Sequence, residues 1–280
     1  MSINWYPGHM VKAKRMISEN LKLVDMVIEI LDARIPASST NPDFQRLFEN
    51  KIRLVLLNKY DYSDPEKTQL WIKEYKNQNI TALPINSLNK NDINQTKKIL
   101  LDLARKMQKE YKESKGINKT IRAMVVGIPN VGKSTFINGI AGRTKAKTGA
   151  KPGITRNKQW VKVNSNFELM DTPGLLWPKL DGKKTGLHLA YTGSIKEEIL
   201  DLYEIVCQFL EDISKLYPQF LIDRYNLKEL NRKGHVLLTD IAIKRNWLKS
   251  GGVPDLDRTA KQILDEYQTG LLGPITLEIP

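Results

Sequence analysis

Residues 54–61 read LVLLNKYD, and residues 127–135 read GIPNVGKST. The relation between these two stretches decides the fold. The first is an apolar, strand-like run that stops on Asn58-Lys59-Tyr60-Asp61, a pattern able to read the edge of a guanine base. The second, Gly127-x-x-x-x-Gly132-Lys133-Ser134, is a complete phosphate-loop pattern with a β-branched run before it and a helical segment after it. In most chains that carry both, the base reader lies well after the phosphate loop. Here it comes about seventy residues earlier. Either one of the two is accidental, or the chain runs through a familiar fold in an unfamiliar order.

The phosphate loop has a reason for each residue. Its glycines let the backbone turn tightly, so that successive N–H groups face a β-phosphate, and the helix that follows adds its positive end. Lys133 is placed to reach the β/γ oxygens and the Ser134 hydroxyl to ligate Mg²⁺. Asn130, Val131, Gly132, Lys133, Ser134 and Thr135 are the expected contacts of the loop with nucleotide. A glycine turn ahead of a helix is the plain alternative.

At the other stretch, the Asp61 carboxylate can accept from guanine N1–H and the 2-amino group together. Adenine has neither donor, so the carboxylate would be desolvated without a partner. That costs a few kcal/mol, or ~100-fold in discrimination. The aliphatic stem of Lys59 can lie over the ring, and Asn58 can tie loops together. After the strand-like run 80–85, Asn86-Ser87 is placed to offer backbone N–H to guanine O6, although a simple strand-ending turn has the same sequence.

Two further elements follow the phosphate loop. Asp171-Thr172-Pro173-Gly174 lies 38 residues after Lys133, a spacing that suits a strand next to the phosphate-loop strand. Asp171 would hold Mg²⁺ through water, and the Gly174 N–H would meet the γ-phosphate. Between them, KPGITR offers Thr155 as a second Mg²⁺ and γ-phosphate ligand, with Thr148 as the competing candidate. Loops of this kind order around a γ-phosphate and release on hydrolysis.

The surrounding pattern is α/β. Apolar β-branched runs occur at 24–31, 53–57, 80–85, 121–126 and 158–170, the last read as a hairpin around Asn164–Asn166. Helical periodicity covers 65–77, 92–113 and 133–142. Short strands separated by helices predict a mostly parallel sheet with helices on both faces. Beyond about residue 180 the strand signals fade. The expected organisation is a nucleotide-binding domain over 1–177 and a mainly α-helical domain over 178–280.

All five elements are present, in the order base reader, second base loop, phosphate loop, first switch, second switch. Joining the ends of a compact fold and cutting it elsewhere keeps every contact, because chain termini lie at the surface and are often close together. With WYPGHM near the start, DARIP at 32–36, NKYD, GIPNVGKS and DTPGLLWP, the chain resembles the circularly permuted GTPases along essentially its whole length. The resemblance implies GTP and GDP as ligands, GTP hydrolysis, and a role in late maturation of the large (50S) ribosomal subunit. It also implies rRNA contact by the helical domain.

Ordinary GTPases carry a water-orienting Gln just after Asp-x-x-Gly. Here that position is Leu175, followed by Leu176, and an aliphatic side chain can neither accept a proton nor hold water. Low intrinsic turnover is expected, with two candidates for the missing group. His9, in WYPGHM, stands where the resemblance implies a catalytic histidine, the alternative being a surface residue at a helix start. Asn130 stands where some related GTPases coordinate K⁺, the alternative being a polar loop residue that satisfies its neighbours. His188 and His235 are read as surface or structural.

Composition sets the outer limits. Hydrophobic residues at 41% and charged residues at 27% fit a folded globular chain rather than a disordered one. A single cysteine, Cys207, excludes an internal disulfide and suits a reducing compartment. The amino-terminal MSINWYPGHMVKAKR has no signal-peptide core and no segment reaches the ~18 apolar residues of a membrane span, so a cytoplasmic protein is expected; a monomer is expected as well. The net charge of +13 is uneven: residues 1–177 hold 30 basic and 16 acidic residues, and 178–280 hold 14 and 15. Seven of the basic residues fall in 143–162, which has no acid. A solvated basic face is one reading and a polyanionic partner the other. The expected partner is the large-subunit precursor, its rRNA and proteins. The rivals are a nucleotide-gated RNA-binding scaffold whose hydrolysis is incidental, and an RNA-modifying enzyme, which lacks any metal-ligand or cysteine–histidine cluster to act with.

Overall fold

The computed structural model describes residues 15–142, 159–174, 176, 183–195 and 201–280. Its centre is strand β1 (Met26–Asp32), buried along its whole length. Alternation divides its side chains: Met26, Ile28 and Ile30 enter the main apolar cluster, while Val27 and Leu31 enter two smaller ones. A strand covered on both faces must be apolar on both, which is why its sequence reads as a continuous run. β2 (Ile52–Asn58), β3 (Thr81–Ile85), β4 (Ile121–Val126) and β6 (Phe167–Asp171) complete the parallel part of a six-stranded sheet. The order is β3-β2-β1-β4-β6-β5, with β5 (Gln159–Lys162) antiparallel to β6 at the edge.

Each strand found in the sequence is present within one or two residues, and β5 and β6 form the expected hairpin. The helices also fall where expected, because their ends are marked chemically. Before α4 (Pro65–Asn77), the Asp64 side chain accepts from Glu66 N and Lys67 N at 3.0 and 3.2 Å, and Pro65 opens the helix. Asn89 caps α5 (Lys90–Lys115) in the same way, and Gly116 closes it in a left-handed conformation. α6 (Lys133–Ala141) follows the phosphate loop directly. Earlier in the chain, α1 (described over 15–21), α2 (Pro36–Ser39) and α3 (Pro42–Leu47) flank β1.

Beyond the sheet come α7 (Lys183–Tyr191), α8 (Leu202–Leu216), α9 (Pro218–Tyr225), α10 (Gly234–Lys244) and α11 (Leu256–Gln268). α8 is central and packs on the other four. The Phe209 ring of α8 lies 5.0 Å from that of Tyr191 and 4.9 Å from that of Tyr267, an edge-on and tilted stack that adds to burial.

After α11 the chain returns to the sheet. Ile275 N donates to Tyr62 O at 3.0 Å, Leu277 N to Arg34 O at 2.9 Å, and Trp71 Nε1 to Glu278 O at 3.2 Å. Ile275 and Leu277 are buried, so this strap is both hydrogen-bonded and apolar. His188, left as a surface or structural residue by its sequence context, is buried: its Nδ1 lies 2.7 Å from Glu278 Oε1 and 3.2 Å from Ser38 Oγ. Its role is structural, and the surface alternative is corrected because Glu278, ninety residues away, covers it. His235 is exposed.

Candidate nucleotide site

Parallel strands present their following loops at one end of a sheet. Here the loops after β1, β2, β3, β4 and β6 all meet at that end. β1 leads outward to β2 and β3, whereas β4 leads the other way to β6, and the phosphate loop stands at this switch point, the place where open α/β sheets bind ligands.

In the phosphate loop, Asn130 and Gly132 have φ of 60° and 99°. The second needs glycine for conformation, and a side chain there would also collide with the Asn58 amide. Lys133 is buried, and its Nζ donates to Gly127 O at 3.0 Å and Ile128 O at 2.7 Å. Burial pulls its pKa down to about 8, against the opposing charge of Asp171. The ammonium is thus held by weak neutral acceptors in a place where an anion would suit it far better. Thr135 sits half-buried in the first turn of α6.

Across the loop, Ser134 Oγ donates to Asp171 Oδ2 at 3.3 Å. Burial raises the Asp171 carboxyl, with Lys133 opposing, and Asp171 Oδ1 has no hydrogen-bond partner among the described residues. Thr172, next to it, anchors the strand end by donating to Val125 O at 2.7 Å. Gly174 lies against the loop: a Cβ there would come within 2.8 Å of Pro129 backbone atoms and 3.0 Å of Lys133 Nζ. The second switch therefore passes as close to the phosphate loop as an unsubstituted backbone allows.

Asn58 joins the two halves of the site. Its Nδ2 donates to Val131 O at 2.6 Å, and its Oδ1 accepts from Ser87 N and Ser87 Oγ at 3.0 and 2.9 Å. One buried amide thereby fixes the base loop after β2, the loop after β3 and the phosphate loop. Beyond it, Asp61 Oδ2 accepts from Asn86 Nδ2 at 2.9 Å, with the carboxylate exposed. Lys59, at φ 61°, sends its Nζ to Asp32 Oδ2 at 3.1 Å.

Of the other residues singled out, His9, Thr155, Thr148 and Leu175 lie outside the described residues, as does most of the basic run 143–162. Asn130 Nδ2 donates to Gly193 O at 2.6 Å, tying the phosphate loop to the turn after α7. Sequence reasoning missed that turn, and it missed the charges at Asp32 and Arg34. DARIP was visible as a motif, but nothing in it names a partner 233 residues away.

A mostly parallel sheet with its phosphate loop at the switch point, and base-edge loops on two neighbouring strands that precede it in the chain, defines a circularly permuted GTPase. The family model described as "50S ribosome-binding GTPase" matches residues 122–240, beginning in the phosphate-loop strand and leaving the earlier base reader outside, as the permuted order requires. Ribosome biogenesis GTPase A of Priestia megaterium is 44% identical over 286 residues, covering 100% of this chain and 98% of that protein. The crystal structure of GNP-bound YlqF from T. maritima matches with TM-score 0.66 at 26% identity, over 96% of this chain and 98% of that one. A GDP-bound structure of TM YlqF matches with TM-score 0.70 at 26% identity, over 95% and 99%. The chain belongs to the ribosome biogenesis GTPase A family. It is a GTPase, and among its described residues no helix is long and apolar enough to cross a membrane.

Proposed function

We propose that this GTPase is an assembly factor for the large (50S) ribosomal subunit, acting late in its maturation, with nucleotide state coupled to binding of the precursor particle and its rRNA. The names carried by its relatives support the ribosomal role. The charge excess of residues 1–177, the nucleotide-binding part, favours a polyanionic partner, and residues 178–280 form the helical part. The protein acts as a monomer in the cytoplasm.

The observation that best supports the nucleotide reading is the Asn58 tie, which joins the 58–61 loop to the phosphate loop. Asp61 reads the guanine edge with Asn86 and Ser87 beside it, while the stem of Lys59 covers the ring. Lys133 leaves its carbonyl acceptors for the β/γ-phosphates, and Asn130 through Thr135 wrap the phosphates. Gly174 N–H meets the γ-phosphate. The spare, buried Oδ1 of Asp171 beside the Ser134 hydroxyl fits a divalent cation, which Ser134, Thr155 and Asp171 would hold. Mg²⁺ supplies neutralisation of charge on the transferring phosphoryl group. With an aliphatic residue at 175, the missing catalytic help comes from His9, which would orient water, or from K⁺ at Asn130, which would supply positive charge in place of an arginine finger.

Turnover of GTP measured with and without large-subunit precursors, in K⁺ and in Na⁺, tests this. An increase of about tenfold or more with particles supports a hydrolysis-coupled factor; unchanged turnover points to a scaffold whose hydrolysis is incidental. Reciprocity requires that a non-hydrolysable GTP analogue also bind the protein to particles more tightly than GDP does.

A further inference from the structure

The charged pair of DARIP has no part in the chemistry above, yet it is the most thoroughly buried one near the site. Arg34 is 0% and Asp32 1% exposed. Burying an ion pair is a poor route to stability, because desolvation offsets the attraction, so its arrangement points to another purpose. Arg34 forks onto Asp32, with Nε at 2.9 Å from Oδ1 and Nη2 at 2.8 Å from Oδ2, and its backbone N–H donates to Oδ1 at 3.1 Å. Lys59 Nζ shares Oδ2 at 3.1 Å. Burial would raise the Asp32 carboxyl, but the two cations outweigh it and hold it well below the usual carboxylate range.

The far side of Arg34 is equally committed. Nη1 donates to Tyr267 O at 2.9 Å and to Gln268 O at 3.5 Å, carbonyls at the negative end of α11. The guanidinium also lies 4.8 Å over the Tyr267 ring, and the Arg34 carbonyl accepts from Leu277 N in the strap. A continuous set of contacts runs from α11 through Arg34 and Asp32 to the head of Lys59. Lys59 needs such a tether, because its left-handed backbone is unfavourable for a residue with a side chain, and a free lysine stem samples many rotamers.

We propose that Asp32 and Arg34 are positioning residues of the base reader: Asp32 pins the Lys59 ammonium so that the stem stands ready over a purine ring, and Arg34 braces Asp32 against α11 and the strap. Base recognition then depends on the docking of the helical part. This rests on reading 58–61 as the base reader.

A double-mutant cycle on affinity for a fluorescent GDP tests it. Asp32→Asn weakens binding about tenfold, the loss expected when a charge-assisted tether is removed. In a Lys59→Met background, which keeps an unbranched stem but removes the ammonium, the same substitution costs nothing further. Because Asp32→Asn strands a buried guanidinium, the cycle is repeated with Asp32→Asn/Arg34→Gln, which removes both charges together, and it shows the same dependence on Lys59. Equal losses with and without the Lys59 ammonium would overturn the proposal, leaving the pair a packing element only. Asp61→Asn is the parallel control. If it leaves the preference for GDP over ADP unchanged, the base reader itself is wrong and the proposal falls with it; if the preference collapses while the cycle is additive, only the positioning role falls.

Discussion

At the phosphate end of the site, Lys133 bonds carbonyls six and five residues away, Gly127 and Ile128. At the base end, Arg34 bonds a carbonyl 233 residues away, and the strap that supports it ends at Glu278. The phosphate end takes its turn, glycine and helix start from consecutive residues, with Asn58 and Gly193 as its distant ties. The base end is held by side chains from several elements, and the Asp32–Arg34 brace behind Lys59 reaches the helical part. Under the proposed reading, grip on phosphate and choice of base should therefore be largely separable, with Asn58 as the joint between them.

The strongest way to break that separation is Lys133→Ala. It removes the charge proposed to meet the β/γ-phosphates, and nucleotide affinity should fall ~100-fold or more, equally for GTP and ATP. The ratio of the two affinities, measured by competition titration, should stay as in the parent; a changed ratio would mean that the two ends are one cooperative device.

Asn58→Ala attacks the seam. It leaves Val131 O, Ser87 N and Ser87 Oγ without their partner, at a cost of about 2 kcal/mol in stability, read as a lower urea midpoint. Here affinity and base preference should decline together, because both loops lose their common fastener.

The smallest effect is the sharpest test of the phosphate end alone. Lys133 is lowered from 10.5 to about 8 by burial, so between those values the unfolded chain binds more protons than the folded one. Stability of the nucleotide-free protein should thus rise with pH, by about 1 kcal/mol between pH 8 and 9. The penalty of burying the cation is fully present below pH 8 and relieved above it. Lys133→Met should abolish the rise, and bound GDP, which supplies an anion to Lys133, should suppress it.

The same division governs what the sequence made readable. GIPNVGKST and NKYD each carry their chemistry within a few consecutive residues, and β1 and β2 are apolar on both faces because both are covered, so motifs, strands and their permuted order could be read directly. The start of α4 was legible through Asp64-Pro65, whereas the Asn89 cap that starts α5 two residues before its apolar period was not read. Arg34, His188 and the strap were not, because each takes its meaning from a partner far along the chain. His188 looked like an isolated polar residue until Glu278 covered it, and no periodicity announces that Leu277 will bond to Arg34. Asn130 was visible as a loop residue, but its bond to Gly193 depends on how α7 packs.

The strap also has a consequence for how the protein comes into being. Contacts that join residue 34 to residue 277 close one of the widest loops in the chain, and such long-range closures form late relative to neighbouring ones. During synthesis the glycine loop and α6 can fold while the brace behind Lys59 has still to be made. A newborn chain would pass through a stage able to hold polyphosphate but indifferent to the purine attached to it, and discernment would arrive once the strap at 275–278 has docked.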